Sequence, residues 1–339
     1  MSESLRFGIL GTGNIAAQFA DALQTASRSE IVAVASRRGS TASQFARRFD
    51  ILNAHAGYDA LIADARVEAV YNALPNNLHH EWTIRALRAG KHVLCEKPLA
   101  VTAAEAEEMF DVSRHTGRLL VEGFMYRNHP LTAAWLEELR SGVIGDLTLV
   151  RTSFCYATRR IADNIRFDPQ LAGGALMDVG CYCINLSRLV AGTEPRRMQV
   201  SARRHETGVD CQAAGTLEFP SGLLASFACG MNAQTDNSAF LCGAEGFIQV
   251  PVPWKPAMEG AGYIVRCMAA PKMDKSKGNE TPDEQAHRVD ADRPLFALEA
   301  DDFTAAVQDG ATPVISEQDS LGNMRVLEEL RRQVIEQGP

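Results

Sequence analysis

The sequence predicts an α/β protein with two domains: an N-terminal doubly wound parallel sheet, and a C-terminal α+β domain on an open, mostly antiparallel sheet. Three observations carry this. Up to Gly123, short apolar runs alternate with amphipathic helical stretches, the pattern of a parallel sheet with crossover helices. The first apolar run ends in Gly11-Thr12-Gly13-Asn14-Ile15-Ala16, a glycine turn between a strand and a helix. From Leu147 onward, successive strand patterns are joined by tight turns, as in an antiparallel sheet. The expected domains are residues 1–123 and 124–339.

Composition narrows the function classes. A chain of 339 residues with 46% hydrophobic and 22% charged residues is ordinary for a globular protein. The formal net charge is −8 and the pI about 5.6, which gives no electrostatic footprint for nucleic acid or an anionic membrane. Arg-Arg pairs are scattered along the chain and read mostly as solvated surface. The eight cysteines form no Cys-x-x-Cys pair, several lie in apolar runs, and no metal site is expected from them. Buried, reduced thiols suit a cytoplasmic protein. The N-terminus shows no apolar signal region, and no run approaches the length of a membrane span.

The elements follow in order. Phe7-Gly8-Ile9-Leu10 is the first strand, and a helix with Ile15, Phe19, Ala22 and Leu23 on one face follows the glycine turn. Gly11 permits the tight turn, Gly13 lets the backbone approach a pyrophosphate, and Ala16 allows close helix–strand packing. The helix start, with Thr12, Asn14 and Ile15, then offers its amides to the phosphates. Glycine turns after strands are common, so the weight rests on the context. The second strand, Ile31 to Ala35, ends in Ser36-Arg37-Arg38. A binder of unphosphorylated NAD usually has Asp or Glu there; a hydroxyl and two guanidiniums suit the 2′-phosphate of NADP(H).

Amphipathic stretches at Thr41–Phe49 and Tyr58–Ile62 precede the strand Val67–Leu74, which closes in Leu74-Pro75-Asn76-Asn77-Leu78-His79. That loop lies at a strand's carboxyl end, where ligands bind in open α/β sheets. His79 reads equally as a cofactor-cleft residue or a helix-start hydrogen bond. A helix from about Glu81 ends at Gly90, and Val93-Leu94-Cys95 leads into Glu96-Lys97-Pro98. A lysine at that strand end points into the crevice. Thr102 and Glu105 form a capping box for the next helix, and Leu119–Gly123 counts as the sixth strand of a Rossmann domain.

In the second half, a helix follows Pro130. Strands are expected at 147–157, 198–205, 211–219, 223–229, 240–242, 247–250 and 263–268, with a long polar loop at 272–293 and closing helices at 294–309 and 317–336. Between the first two of these strands, Gly173-Gly174 opens a helix on which Asp178, Tyr182 and Asn185 share a face. They serve either a site or a domain interface.

Gly11-Thr-Gly-Asn-Ile-Ala16, Pro75-Asn76 with His79, Glu96-Lys97-Pro98 and Glu122-Gly-Phe-Met-Tyr-Arg-Asn-His-Pro130 together resemble the Gfo/Idh/MocA oxidoreductases. The similarity is to the branch of dimeric dihydrodiol dehydrogenase, NADP-dependent xylose dehydrogenase and glucose–fructose oxidoreductase. Many members carry His at the Tyr182 position and Asp at the Asn185 position, and this chain departs at both.

The resemblance implies an NADP(H)-dependent dehydrogenase or reductase acting on the CH–OH group of a sugar, polyol or trans-diol. It also implies a homodimer or homotetramer formed through the C-terminal sheet, and a cis Lys97-Pro98 bond. The site expected is Tyr182 as acid/base, Lys97 as its electrostatic partner or itself the acid/base, and Asp178 as orienter. Cofactor contacts are expected from Gly11–Ile15, Ser36–Arg38, Leu74–Asn76, His79, Glu96, Lys97 and Arg127, with Arg166 a secondary candidate. Two other functions compete: a non-catalytic NADP(H)-binding sensor and a redox-assisted glycoside hydrolase.

Overall fold

A computed structural model describes residues 4–267 and 283–337 of the chain. It divides into two compact units. The first comprises Met1–Asn128, Asp168–Gly173 and Arg293–Glu328; the second comprises His129–Phe167, Gly174–Asp292 and Glu329–Pro339.

In the first unit, strands β1 (Leu5–Leu10), β2 (Ser29–Ser36), β3 (Asn53–Ala56), β4 (Ala69–Asn72), β5 (His92–Glu96) and β6 (Leu120–Gly123) form one sheet. Their spatial order is 3-2-1-4-5-6, and every pair is parallel. This is the doubly wound Rossmann order, which reverses between β1 and β4 and opens a crevice at their carboxyl ends. Helices α1 (Asn14–Leu23), α2 (Gly39–Phe49), α3 (Tyr58–Ile62), α4 (His79–Arg88) and α5 (Ala103–Thr116) supply the crossovers.

The central strands are apolar on both faces because helices cover both, and Phe7, Ile9, Val70, Tyr71, Val93 and Leu94 are fully buried. Helix α1 lays Phe19 on the Tyr71 ring at 3.7 Å between centroids, and burying such a ring contributes about 2–3 kcal/mol. The capping box at Thr102 forms as expected, with Glu105 N–H donating to Thr102 Oγ1 at 3.2 Å. Strand β3 lacks an apolar run, Asn-Ala-His-Ala, so its position is not marked by hydrophobicity.

Helix α8 (Leu295–Asp309), near the end of the chain, belongs to this first unit. Phe303 packs against Phe7, and Thr304 Oγ1 hydrogen-bonds Ser29 Oγ at 2.7 Å. Helix α9 (Glu317–Glu336) is shared between the two units.

The second unit is built on eight strands: β7 (Leu147–Cys155), β8 (Arg197–Arg204), β9 (Asp210–Glu218), β10 (Leu224–Gly230), β11 (Ala239–Gly243), β12 (Gly246–Val250), β13 (Ala261–Cys267) and β14 (Asp283–Val289). The order is 14-13-12-11-7-10-9-8, antiparallel throughout except for the β7–β10 pair. Helices α6 (Pro130–Arg140) and α7 (Cys181–Ala191) belong to this unit.

One expectation is corrected. The stretch from Lys272 to Arg293, read as a loop, contains β14. Its sequence, Asp-Glu-Gln-Ala-His-Arg-Val, has no apolar alternation because it is an exposed edge strand, where charge blunts pairing with other chains. The earlier part of that stretch lies outside the described residues. No helix among the described residues is long and apolar enough to cross a membrane.

A buried carboxyl lies at the carboxyl ends of β5 and β6. Glu299 of α8 is 3% exposed, and among the described residues neither of its oxygens has a hydrogen-bond partner. Burial, and then the neighbouring Glu96 and Asp302, push its acid well above the usual carboxyl range. A raised folded-state value adds stability at low pH that is lost as pH rises above the ordinary value of about 4.3. Glu299→Gln, neutral and of the same size, should therefore unfold at higher temperature than the parent near pH 8, by ~1 kcal/mol or more, and gain less near pH 4. Thermal midpoints at the two pH values check this; an equal change at both would refute it.

Candidate active site

The residues singled out in the first unit gather at the carboxyl ends of its strands. Gly11 leaves β1 with φ at +100°, and a Cβ there would lie 3.0 Å from the Ala73 carbonyl oxygen, so glycine is needed. Its N–H donates to Ala35 O, tying the turn to β2. Gly13 is the N-cap of α1; among the described residues no side chain caps the helix, and a Cβ at Gly13 would meet nothing within 4 Å. Thr12, Asn14 and Ile15 flank this open helix start. Ser36 ends β2, and Arg37 and Arg38 follow it, both exposed. Among the described residues neither guanidinium makes an ion pair.

The loop after β4 is braced from within. Leu74 is buried, Pro75 half-buried, and Asn76 donates its side-chain N–H to Ala172 O at 2.9 Å. His79 is 1% exposed; its Nε2 lies 2.8 Å from Leu74 O and its Nδ1 2.9 Å from Pro98 O. Burial pushes this imidazole toward its neutral form, with the Lys97 charge acting in the same direction. A neutral ring has one N–H and donates to one of the two carbonyls. His79 thus sits between the β4 loop and the turn that carries Lys97, bonded to one of them and packed against the other.

That turn is the cis Lys97-Pro98 bond at the end of β5. Lys97 is half-buried. The preceding residue, Glu96, is 5% exposed and accepts a short hydrogen bond from Tyr71 Oη. Glu122 holds the far side of the turn, its Oε1 accepting the Leu99 N–H at 2.8 Å. Arg127, after β6, directs its guanidinium to Asp319 Oδ2 at 3.3 Å and is 7% exposed.

In the second unit, Asp178, Tyr182 and Asn185 lie on one continuous helical stretch. Its first turn, Leu176–Gly180, is π-helical before α7 begins. Such widened turns re-aim side chains and recur at functional sites. Asp178 Oδ2 accepts from Tyr156 Oη at 2.6 Å and from Arg166 Nε at 2.9 Å. Burial, then the Asp178 charge, push the Tyr156 phenol far up, so it stays a protonated donor. Asn185 is fully buried.

The Tyr182 ring is fixed by aromatic neighbours. It meets Phe154 edge-on at 5.3 Å and Trp254 at 6.0 Å, and those two rings stack at 5.6 Å. Trp254 Nε1 donates to Ser153 O at 2.8 Å, which anchors the stack. Two of these residues were less visible in sequence. Trp254 follows an irregular Pro-rich stretch with no periodic marker. Asp210 lies far from Asp178 in the chain, yet its Oδ2 accepts the Leu176 N–H at 2.7 Å and so holds the start of the helix. Among the described residues no group of three or more His, Cys, Asp or Glu side chains could hold a metal ion.

A parallel sheet with an uncapped glycine turn after its first strand, and a lysine turn after its fifth, defines a nucleotide-binding oxidoreductase architecture. The comparisons agree. Residues 5–124 match the family model of the Gfo/Idh/MocA oxidoreductases with an NAD-binding Rossmann fold, and residues 134–249 match the Gfo/Idh/MocA C-terminal domain. A D-xylose 1-dehydrogenase (NADP+) of Haloferax volcanii is 34% identical over 96% of this chain and 95% of its own. The human trans-1,2-dihydrobenzene-1,2-diol dehydrogenase is 38% identical over 75% of this chain and 76% of its own. A 3-ketoreductase from Actinomadura kijaniata, solved with NADP and TDP-benzene, superposes with a TM-score of 0.86 at 30% identity, covering 98% of both chains. The chain belongs to the Gfo/Idh/MocA oxidoreductase family.

The anchor of the Asp178–Tyr182 helix can be tested by its pH dependence. Burial raises the Asp210 carboxyl to about 6. The stability this adds is fully present below the unfolded value of about 4 and is lost as pH rises through about 6, amounting to ~3 kcal/mol. Asp210→Asn keeps an acceptor for the Leu176 amide and should flatten that part of the curve. Thermal midpoints between about pH 4 and pH 7 check it; a slope identical to the parent's would contradict the assignment.

Proposed function

We propose that the protein is an NADP(H)-dependent oxidoreductase that moves a hydride between the nicotinamide and a CH–OH or C=O carbon of a sugar, polyol or trans-diol. The observation that carries this reading lies within the first unit. One edge of its sheet bears the open Gly11–Gly13 helix start, the Ser36-Arg37-Arg38 end of β2, and Lys97 at the end of β5.

The residues fit the cofactor. The Gly13 position has room for a pyrophosphate, and the amides of α1 face it with no side-chain cap in the way. Ser36, Arg37 and Arg38 supply a hydroxyl and two cations where a carboxylate would select the unphosphorylated ribose. Leu74, Pro75, Asn76 and Glu96 belong to the adjacent loops and complete the contact set, with His79 acting as their brace. The nicotinamide, when bound, supplies the hydride acceptor or donor. The work left to the protein is to hold the substrate hydroxyl and to take or return its proton.

Tyr182 is assigned the proton transfer. An unperturbed phenol, with a pKa of about 10, is a poor base at neutral pH, and a nearby cation favours its phenolate. Lys97 is assigned as that cation, and as a donor to the substrate oxygen. The aromatic stack of Phe154 and Trp254 restricts the Tyr182 ring to one orientation, which limits the entropy lost on reaching the reactive geometry. Xylose and a trans-dihydrodiol, which the relatives' names carry, are the substrates to test first.

Three outcomes check the reading. A panel of aldoses, ketoses and trans-diols should produce or consume NADPH absorbance, which a binding-only sensor or an internally recycling hydrolase would not do. Tyr182→Phe should lower turnover about 10²–10⁴-fold with the affinity for NADP+ little changed; turnover near the parent's would remove the tyrosine from the mechanism. Replacing Arg37 and Arg38 by Ala should weaken NADP+ binding about 10–100-fold and leave NAD+ binding near its starting value. An equal loss for both cofactors would refute the 2′-phosphate assignment.

A further inference from the structure

We infer that Arg166 is a positioning residue for the proton transfer: by neutralising Asp178, it allows the phenol of Tyr182 to ionise. The inference rests on the reading of Tyr182 as the proton-transfer group and adds to it an electrostatic partner from the same unit. Asp178 precedes Tyr182 by four residues on one continuous helical stretch. An unpaired carboxylate so placed would oppose the phenolate, because like charges in one site disfavour each other's ionisation.

Arg166 meets that carboxylate directly, with Nε 2.9 Å from Oδ2. The same oxygen accepts the Tyr156 hydroxyl at 2.6 Å. Tyr156 keeps its proton, so it contributes a dipole and no charge. The net charge of the Arg166–Asp178–Tyr156 group is therefore zero, whereas without the guanidinium it would be −1.

The backbone holds Arg166 in this place. It lies in the short turn Ile165–Phe167; its carbonyl accepts the Gly174 N–H at 2.9 Å, and its own N–H donates to Asn164 Oδ1 at 3.2 Å. The turn is thus joined to the start of the helix that bears Asp178 and Tyr182. The electrostatics agree in sign. The ionised forms of Asp178, Tyr156 and Tyr182 each stabilise the guanidinium, Asp178 most strongly. This attraction is mutual, so the guanidinium stabilises the Tyr182 phenolate by the same interaction. Within the unit, Arg166 is coupled to Asp178, Tyr156 and Tyr182, while Phe154 and Trp254, which flank the Tyr182 ring, carry no charge. Lys97 is the further cation under the proposed mechanism.

The test is the titration of Tyr182 itself. Ultraviolet difference spectra between the full-length protein and its Tyr182→Phe variant isolate the tyrosinate signal of Tyr182. Recording the same difference in an Arg166→Met background gives the coupling, with and without NADP+. The titration should move up by about 1 pH unit or more in Arg166→Met, and Arg166→Lys should bring it back toward the parent's. Arg166→Gln gives the same reading if the Met variant does not fold. An unmoved Tyr182 titration in a folded variant lacking the charge would overturn the inference. If Tyr182→Phe keeps near-parent turnover, the tyrosine assignment fails on its own, and the spectral shift then reports only the electrostatic coupling.

Discussion

In a parallel sheet all the strands end on the same side, and this constraint organises the whole first unit. Gly11 follows β1, Ser36 closes β2, Asn76 follows β4, Lys97 follows β5 and Arg127 follows β6. The order of the strands reverses between β1 and β4, so the turns after those two strands diverge and leave a crevice. What remains is to hold the loops at that edge, and buried polar side chains do this. His79 sits between the β4 loop and Pro98, Glu122 holds the Leu99 amide, and Tyr71 holds Glu96 from within the sheet. Each is withdrawn from water, so each bond is worth more there than on the surface, and each group is expensive to leave unpaired.

The second unit solves a different problem, the orientation of one helix. Asp210 accepts an amide at its start, a π turn widens its first residues, and Asp178 is held on one side by Arg166 and Tyr156. Tyr182 then projects into an aromatic frame that fixes its ring. Gly174 is constrained by the same arrangement: with φ at +124°, a Cβ there would lie 2.2 Å from Asp210 Oδ1. The helix that bears the proposed proton-transfer residue is thus set by a buried carboxyl at its start and a neutralised one along its side.

Much of the fold was legible because its signals are local. Apolar runs between amphipathic stretches mark β1, β2, β4, β5 and β6, and Thr102 with Glu105 marks the start of α5. Strands β3 and β14 were not, because one is a tetrapeptide of small and polar residues and the other an exposed edge, and neither has a hydrophobic face to betray it. The place of α8 was also hidden, since a helix's periodicity does not say which sheet it covers. In the candidate site, Lys97, Asp178 and Tyr182 stand out as polar groups at strand ends or on one helix face. The contacts that Tyr156 and Asp210 make with that helix do not, because a contact across 22 or 34 residues of chain leaves no periodic trace. Arg127 stands at a strand end by position, and its ion pair with Asp319, far along the chain, leaves no trace in the sequence.

The central claim is that a hydride passes between the nicotinamide and a carbinol carbon. The most direct measurement follows the label. An aldose deuterated at C1, or a trans-diol deuterated at its carbinol carbons, is oxidised with NADP+ and the reduced cofactor is examined by proton NMR. Deuterium should appear at nicotinamide C4 on a single face, one atom for each substrate oxidised. Unlabelled reduced cofactor would contradict direct transfer and with it the function proposed for this chain.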